Sequence, residues 1–182
     1  IKENDAYQLV AITGLGQGNL CVAPNGKWLA RYVPAALRNH PFRMAEHEGQ
    51  TVLCVDQAHL TEDDAAKPLF DAEGNPAEAV TQVMDFFQQC EQSREVTHAS
   101  VKKLANAGVI EGWPLQIGQG EGQDPISVTG LYRVSEQALN SLHAETFHGL
   151  RGGPLSIAYA QMLSTHNLDQ LAERAKFHAN QA

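Results

Sequence analysis

The sequence predicts an α+β fold, an antiparallel sheet or meander packed against one long helix, with shorter helices toward the C-terminus. Three observations carry that expectation. Short β-rich runs bounded by Gly, Pro and Asn fill the first 60 residues or so; a single apolar period of three and four runs from about Pro76 to Ala107; and helix-start signals gather after Ser135. Strands first and helices later favour α+β over an alternating parallel arrangement.

Taken in order, Tyr7 to Ile12 and Asn19 to Ala23 read as two strands flanking a glycine loop, Gly14-Leu15-Gly16-Gln17-Gly18. Asn25-Gly26 supplies the dipeptide suited to a type I′ hairpin turn, after which Lys27 to Val33 returns as a strand. Pro34 opens a short helix, Ala35 to Asn39, because its missing N–H costs nothing in a first turn; Pro41 stops it. Phe42 to Ala45 and Thr51 to Asp56 form the next strand pair around His47-Glu48-Gly49, and an acidic stretch follows from Thr61 to Asp64. Along the long helix Val80, Val83, Phe87, Cys90, Thr97, Val101 and Leu104 share a stripe that Arg94 interrupts, and Gly108 stops it. Leu115 to Ile117 and Ile126 to Val134 read as a strand pair around Gly118 to Asp124, with a period that slips inside the second run. Ser135 caps a short helix, Pro154 to Ser164 forms another and Leu168 to Phe177 the last.

Composition narrows the function classes. At 182 residues the chain is the size of one domain, with 43% hydrophobic and 19% charged residues, enough apolar material for a core. The formal net charge of −8 has the wrong sign for neutralising a phosphate backbone, so no nucleic-acid partner is expected. No run approaches the length of a transmembrane segment, and the mean hydropathy is −0.31. Cys21, Cys54 and Cys90 stand apart within apolar stretches, as buried free thiols do.

No motif announces catalysis, a cofactor or a metal. The Gly14 to Gly18 loop leads into another strand, not a helix N-terminus, so a dinucleotide site is not expected there. The eight histidines include no HExxH pair, and His143 and His148 are five apart, off a common helical face. There is no GxSxG around Ser127 or Ser156, and the neighbours Asp63-Asp64 and Asp71 with Glu73 read as solvated loop carboxylates. Arg151-Gly152-Gly153 before Pro154 is a weak anion-binding candidate, since an arginine and a helix start can hold a carboxylate or phosphate; Gly before Pro also suits a helix start without any ligand. The densest functional signal is the corner Trp28 to Phe42, where Trp28, Arg31, Tyr32, Arg38, His40 and Phe42 crowd together as aromatic and arginine hot spots do. On a strand Trp28 and Tyr32 would share one face and Arg31 the other, so core packing of the two rings is the alternative to a ligand groove.

The same corner, NGKWLARYVPAALRNHPF, resembles the signature of the bacterial SapC family: Gly-x-Trp, then Tyr-(Ile/Val)-Pro-Ala, a spaced Arg, and an aromatic or His before Pro-Phe. The similarity continues in the family's order through CVDQAHL, PLFDAEGNPAEAV, VTGLYRVSEQALNSL and IAYAQMLSTHNLDQLAER, and so covers nearly the whole chain as one domain. The resemblance implies a further family segment ahead of Ile1. Phe147 to Gly153 departs from the family's longer Leu-x-x-Leu-His stretch. It brings no enzyme chemistry. It implies a surface-layer association and a genomic setting beside outer-membrane receptors and halogenase-like or cupin-like genes, hence a role in peptide or glycan uptake or modification. The expectation is a non-catalytic binding or accessory protein for a protein, peptide or saccharide partner. Two alternatives are an enzyme using Asp56, His40 and Tyr132, and a self-associating surface-layer subunit.

Overall fold

The structure is a computed structural model that describes residues 1–14, 18–63, 65–117 and 125–179. It divides into two compact units, one of residues 1–30 with 95–182 and one of residues 31–94. The fold is α+β, and among the described residues the antiparallel pairing is shared by four two-stranded sheets rather than one meander.

The first unit begins with β1 (Lys2–Glu3) and β2 (Ala6–Tyr7), joined by Asn4 and Asp5 at φ 46° and 62°. Two left-handed residues make this a type I′ turn. The strand expected over Tyr7 to Ile12 is therefore confined to its first residue, and its partner lies upstream. Leu9 and Val10 beyond it are 51% and 45% exposed. Of the glycine loop, Leu15 to Gln17 lie outside the described residues, as do Gly118 to Asp124.

The expected strands Asn19 to Ala23 and Lys27 to Val33 reduce to a single bridge between Val22 and Trp28. Ala23 donates to the Lys27 carbonyl at 2.8 Å, Gly26 donates to the Ala23 carbonyl at 2.8 Å, and Gly26 has φ 80°. Pro24-Asn25-Gly26 is thus a three-residue loop, a type I turn closed by a left-handed glycine, not the expected type I′ turn. Asn25 keeps a negative φ, and its Oδ1 accepts from the Lys27 N–H at 3.1 Å.

In the second unit, α1 (Ala35–Arg38) starts after Pro34 and ends at Asn39. β3 (Phe42–His47) and β4 (Gln50–Val55) pair from Phe42 with Val55 to His47 with Gln50. Here the type I′ turn is Glu48-Gly49, at φ 51° and 76°. The Asp56 N–H donates to the Pro41 carbonyl at 3.0 Å, adding one rung at the open end of the ribbon. Asp71 folds its own loop: Oδ1 accepts from the N–H groups of Asn75 at 2.8 Å and Glu73 at 2.9 Å, which holds its carboxyl below the usual range.

α2 (Glu78–Asn106) is the long helix, 29 residues, with residues 78–94 in the second unit and 95–106 in the first. All members of the apolar stripe are buried or half-buried, while the interrupting Arg94 is exposed and pairs with Glu91. Gly108, at φ 71°, ends the helix in a Schellman motif: Val109 N–H bonds back to the Leu104 carbonyl at 3.4 Å and Gly108 N–H to Ala105 at 3.0 Å. The apolar contact that accompanies this motif is Leu104 with Val109, and both lie in the core.

β5 (Ile110–Gly112), β6 (Leu115–Ile117), β7 (Ile126–Val128) and β8 (Tyr132–Val134) pair as β5 with β8 and β6 with β7. Gly112 faces Tyr132 and Leu115 faces Val128, so two residues on one side oppose Thr129, Gly130 and Leu131 on the other. That extra residue is a bulge, with Gly130 at φ 77° and Trp113 N–H donating to the Leu131 carbonyl at 2.8 Å. It accounts for the slipping period: Ile126 to Val134 is two strands, and the unforeseen β5 partners the second.

Ser135 caps α3 (Glu136–Asn140) through the Ala138 N–H. α4 (Ala144–Gly149) was not expected, because its N-cap position, His143, makes no side-chain cap. α5 (Gly153–Ser164) leads through a 3-10 turn at Thr165–Asn167 to α6 (Leu168–Ala179). The core joins Leu104, Val109, Val134, Leu139, Leu150 and Ala158 from α2, β8, α3 and α5 and the turns beside them. α6 is tied to the N-terminal segment, where Arg174 Nη1 lies 3.7 Å from Cys21 Sγ and His178 Nε2 3.2 Å from the Leu20 carbonyl.

Candidate functional site

The Trp28 to Phe42 segment is divided between the two units. Residues 27–33 form no strand, so the shared strand face expected for Trp28 and Tyr32 does not exist. Trp28, half-buried, belongs to the first unit through its bridge to Val22. Arg31, Tyr32, Arg38, His40 and Phe42 belong to the second. Arg31 is exposed, and Phe42 is half-buried at the start of β3.

Two groupings emerge within the second unit. Arg38, in the last turn of α1, donates from Nη2 to the Tyr32 hydroxyl at 2.8 Å. Its guanidinium carbon lies 5.2 Å from the Tyr32 ring centre and 4.9 Å from that of Phe86 on α2. Both distances are within cation–π range. Tyr32 remains 64% exposed, so one arginine holds an aromatic ring against solvent and is itself held by two rings.

The second grouping is His40, Asp56 and His59, all exposed. The open end of the β3–β4 ribbon places His40-Pro41 beside Asp56, and Asp56 caps the 3-10 turn Gln57–His59 by accepting the Ala58 N–H at Oδ1, 3.1 Å. That turn brings His59 over His40: the two Nε2 atoms are 3.1 Å apart, the rings edge to face with centres 4.5 Å apart. Asp56 Oδ2 is 3.8 Å from His59 Nδ1. Of the triad His40, Asp56 and Tyr132, the first two therefore meet with His59 added. Tyr132 stands in the first unit, edge-on to Tyr7 at 5.0 Å. The sequence signal for His59 was its i,i+3 spacing from Asp56 in CVDQAHL.

At the start of α5 each glycine has a local reason. Gly152 adopts φ 86° and ψ −132°, a region closed to side chains, and a Cβ on Gly153 would stand 2.7 Å from Ser100 Oγ on α2. Arg151 beside them is exposed.

Sequence reasoning gave no sign of a cleft in the first unit lined by Glu111, Arg133, Tyr159, Gln161 and His166. Glu111 Oε1 accepts from Arg133 Nε at 2.9 Å across the β5–β8 pair. The Arg133 bond, and then one from Ser135, hold the Glu111 carboxyl below its ordinary value. A carboxyl whose pKa is lowered on folding stabilises the fold above the unfolded-state pKa and loses that contribution as pH falls through the folded-state value. Glu111→Gln is accordingly expected to flatten the acid limb of a Tm-against-pH profile and to leave its slope above pH about 6 unchanged. An unaltered acid limb would mean that the pair carries no linkage.

The family model described as SapC matches residues 1–171. No curated protein and no solved structure matches the chain. With the match spanning the Trp28 to Phe42 signature, the long helix, and α3 to α5 with the first turn of α6, this chain belongs to the SapC family.

Proposed function

We propose that this SapC protein is a non-catalytic binding or accessory protein of the bacterial cell envelope, engaging a protein, peptide or saccharide in peptide or glycan uptake or modification. The observation that carries the reading is the exposed Tyr32 ring braced by Arg38, which is itself stacked against Phe86. Tyr and Arg dominate binding hot spots because each presents a large rigid surface with a polar tip. A guanidinium fixed by two rings keeps N–H groups for a carboxylate or a sugar hydroxyl while losing little side-chain entropy on binding. The ring beside it offers a flat apolar face to a pyranose or a second aromatic. Arg31, His40 and Phe42 extend the polar and aromatic surroundings of the segment. The envelope setting rests on membership of the family and its surface-layer association.

The test is to probe peptide and oligosaccharide arrays with the labelled wild-type chain and with Arg38→Ala. The expected result is a defined class of ligand bound by wild type and bound at least about tenfold more weakly by Arg38→Ala, the effect of losing a hot-spot arginine. A ligand bound equally by both would remove the corner from the site, and a fold-preserved chain that binds nothing on either array would remove the reading.

A further inference from the structure

We propose that His40, Asp56 and His59 form a binding site for a late first-row divalent transition-metal cation, zinc being the representative. The proposal does not depend on the Tyr32–Arg38 reading above, with which it shares only His40. The ligand atoms of the three side chains lie within 4.8 Å of one another. A tetrahedral zinc with bonds of about 2.0 to 2.1 Å to imidazole nitrogen sets two such nitrogens about 3.3 Å apart. The observed Nε2 separation is 3.1 Å, so the histidines already stand at nearly the spacing of a ligand pair. A histidine–histidine hydrogen bond alone accounts for that distance, but it calls for no carboxylate. Here Asp56 has one oxygen engaged by the Ala58 N–H, while the other, Oδ2, lies 3.8 Å from His59 Nδ1, the ring nitrogen outside that pair, with the ligand atoms of all three side chains within 4.8 Å of one another.

Two imidazoles and a carboxylate are borderline-hard donors. They suit zinc, nickel or copper better than calcium or magnesium, which take oxygen sets. Three protein ligands leave a coordination position open, as in exchangeable or reactive sites rather than closed structural ones. Local backbone holds the set together: the Asp56 N–H to Pro41 rung sets His40 against Asp56, and the 3-10 turn returns His59. The chain's net charge of −8 raises the local concentration of cations around it.

The experiment titrates the whole chain, free of any polyhistidine tag, with Zn²⁺ against a chromogenic chelator, and then with Co²⁺ followed by its visible d–d absorption. One equivalent is expected to bind, with affinity reduced by about tenfold or more in His40→Ala and in His59→Ala, and reduced also in Asp56→Asn. His47→Ala and His143→Ala should leave it unchanged. All three proposed ligands are exposed, so the variants should retain wild-type Tm and circular dichroism. Absence of saturable binding would overturn the site, as would binding that survives both His40→Ala and His59→Ala. Thiolate-to-cobalt charge-transfer bands would assign the ion to a cysteine instead and overturn it equally.

Discussion

Leu104→Ala is expected to reduce the free energy of unfolding by about 2–5 kcal/mol, the range for truncating a fully buried leucine. Leu104 is 1% exposed and sits in the cluster of Val109, Val134, Leu139, Leu150 and Ala158. It supports two levels of structure at once. Its carbonyl receives the Val109 N–H that closes α2, and its side chain meets the Val109 side chain in the contact that accompanies such a helix end. Collapse into the void is opposed because its neighbours come from α2, β8, α3 and α5, elements held separately by their own hydrogen bonds. Val96→Ala, on the same helix at 63% exposure, is the matched control and should change stability by no more than about 0.5 kcal/mol. Urea unfolding of the two variants side by side checks the prediction. Equal losses would mean that the C-terminal half of α2 does not anchor this core.

Gly153→Ala is expected to cost about 1–3 kcal/mol through overpacking, and Ser100→Ala should restore most of the loss. The added methyl would stand 2.7 Å from Ser100 Oγ but 3.8 Å from Ser100 Cβ, so deleting the hydroxyl relieves the clash. Ser100 is 5% exposed, which leaves its side chain little room to turn away. A double-mutant cycle reads this directly, as a favourable coupling between the two substitutions. Gly152→Ala gives the contrast: its cost arises from φ 86°, has nothing to do with Ser100, and should be additive with Ser100→Ala. Strict additivity for Gly153→Ala would mean that α5 starts next to α2 without this contact.

The features legible in the sequence are those that a single local rule determines. The seam of α2 could be read because 29 residues repeat one period and Gly108 offers an unambiguous stop. Ser135 and Pro154 marked helix starts for the same reason. Turn type was not legible from the dipeptide: Asn25-Gly26 promised type I′ and Glu48-Gly49 supplied it, because pairing of the flanking residues, His47 with Gln50 and Ala23 with Lys27, sets the loop length first. β5 escaped because a three-residue strand has too little pattern to stand out, and the bulge at Gly130 hid its partner. α4 escaped because nothing caps it. At the candidate site, residues 31–42 could be flagged because Tyr32, Arg38 and His40 are near in sequence. His59 was marked only by its i,i+3 spacing from Asp56, and its meeting with His40 was hidden by the 19 positions and the ribbon between them.

Hydrogen–deuterium exchange of the chain with and without the strongest array ligand shows whether recognition occurs at the Tyr32–Arg38 corner. Slowed exchange is expected over residues 31–42, with the segments carrying Glu111, Arg133 and Tyr159 unchanged. Protection confined to those segments, with residues 31–42 exchanging as in the free chain, would place recognition in the first unit and contradict the Tyr32–Arg38 siting.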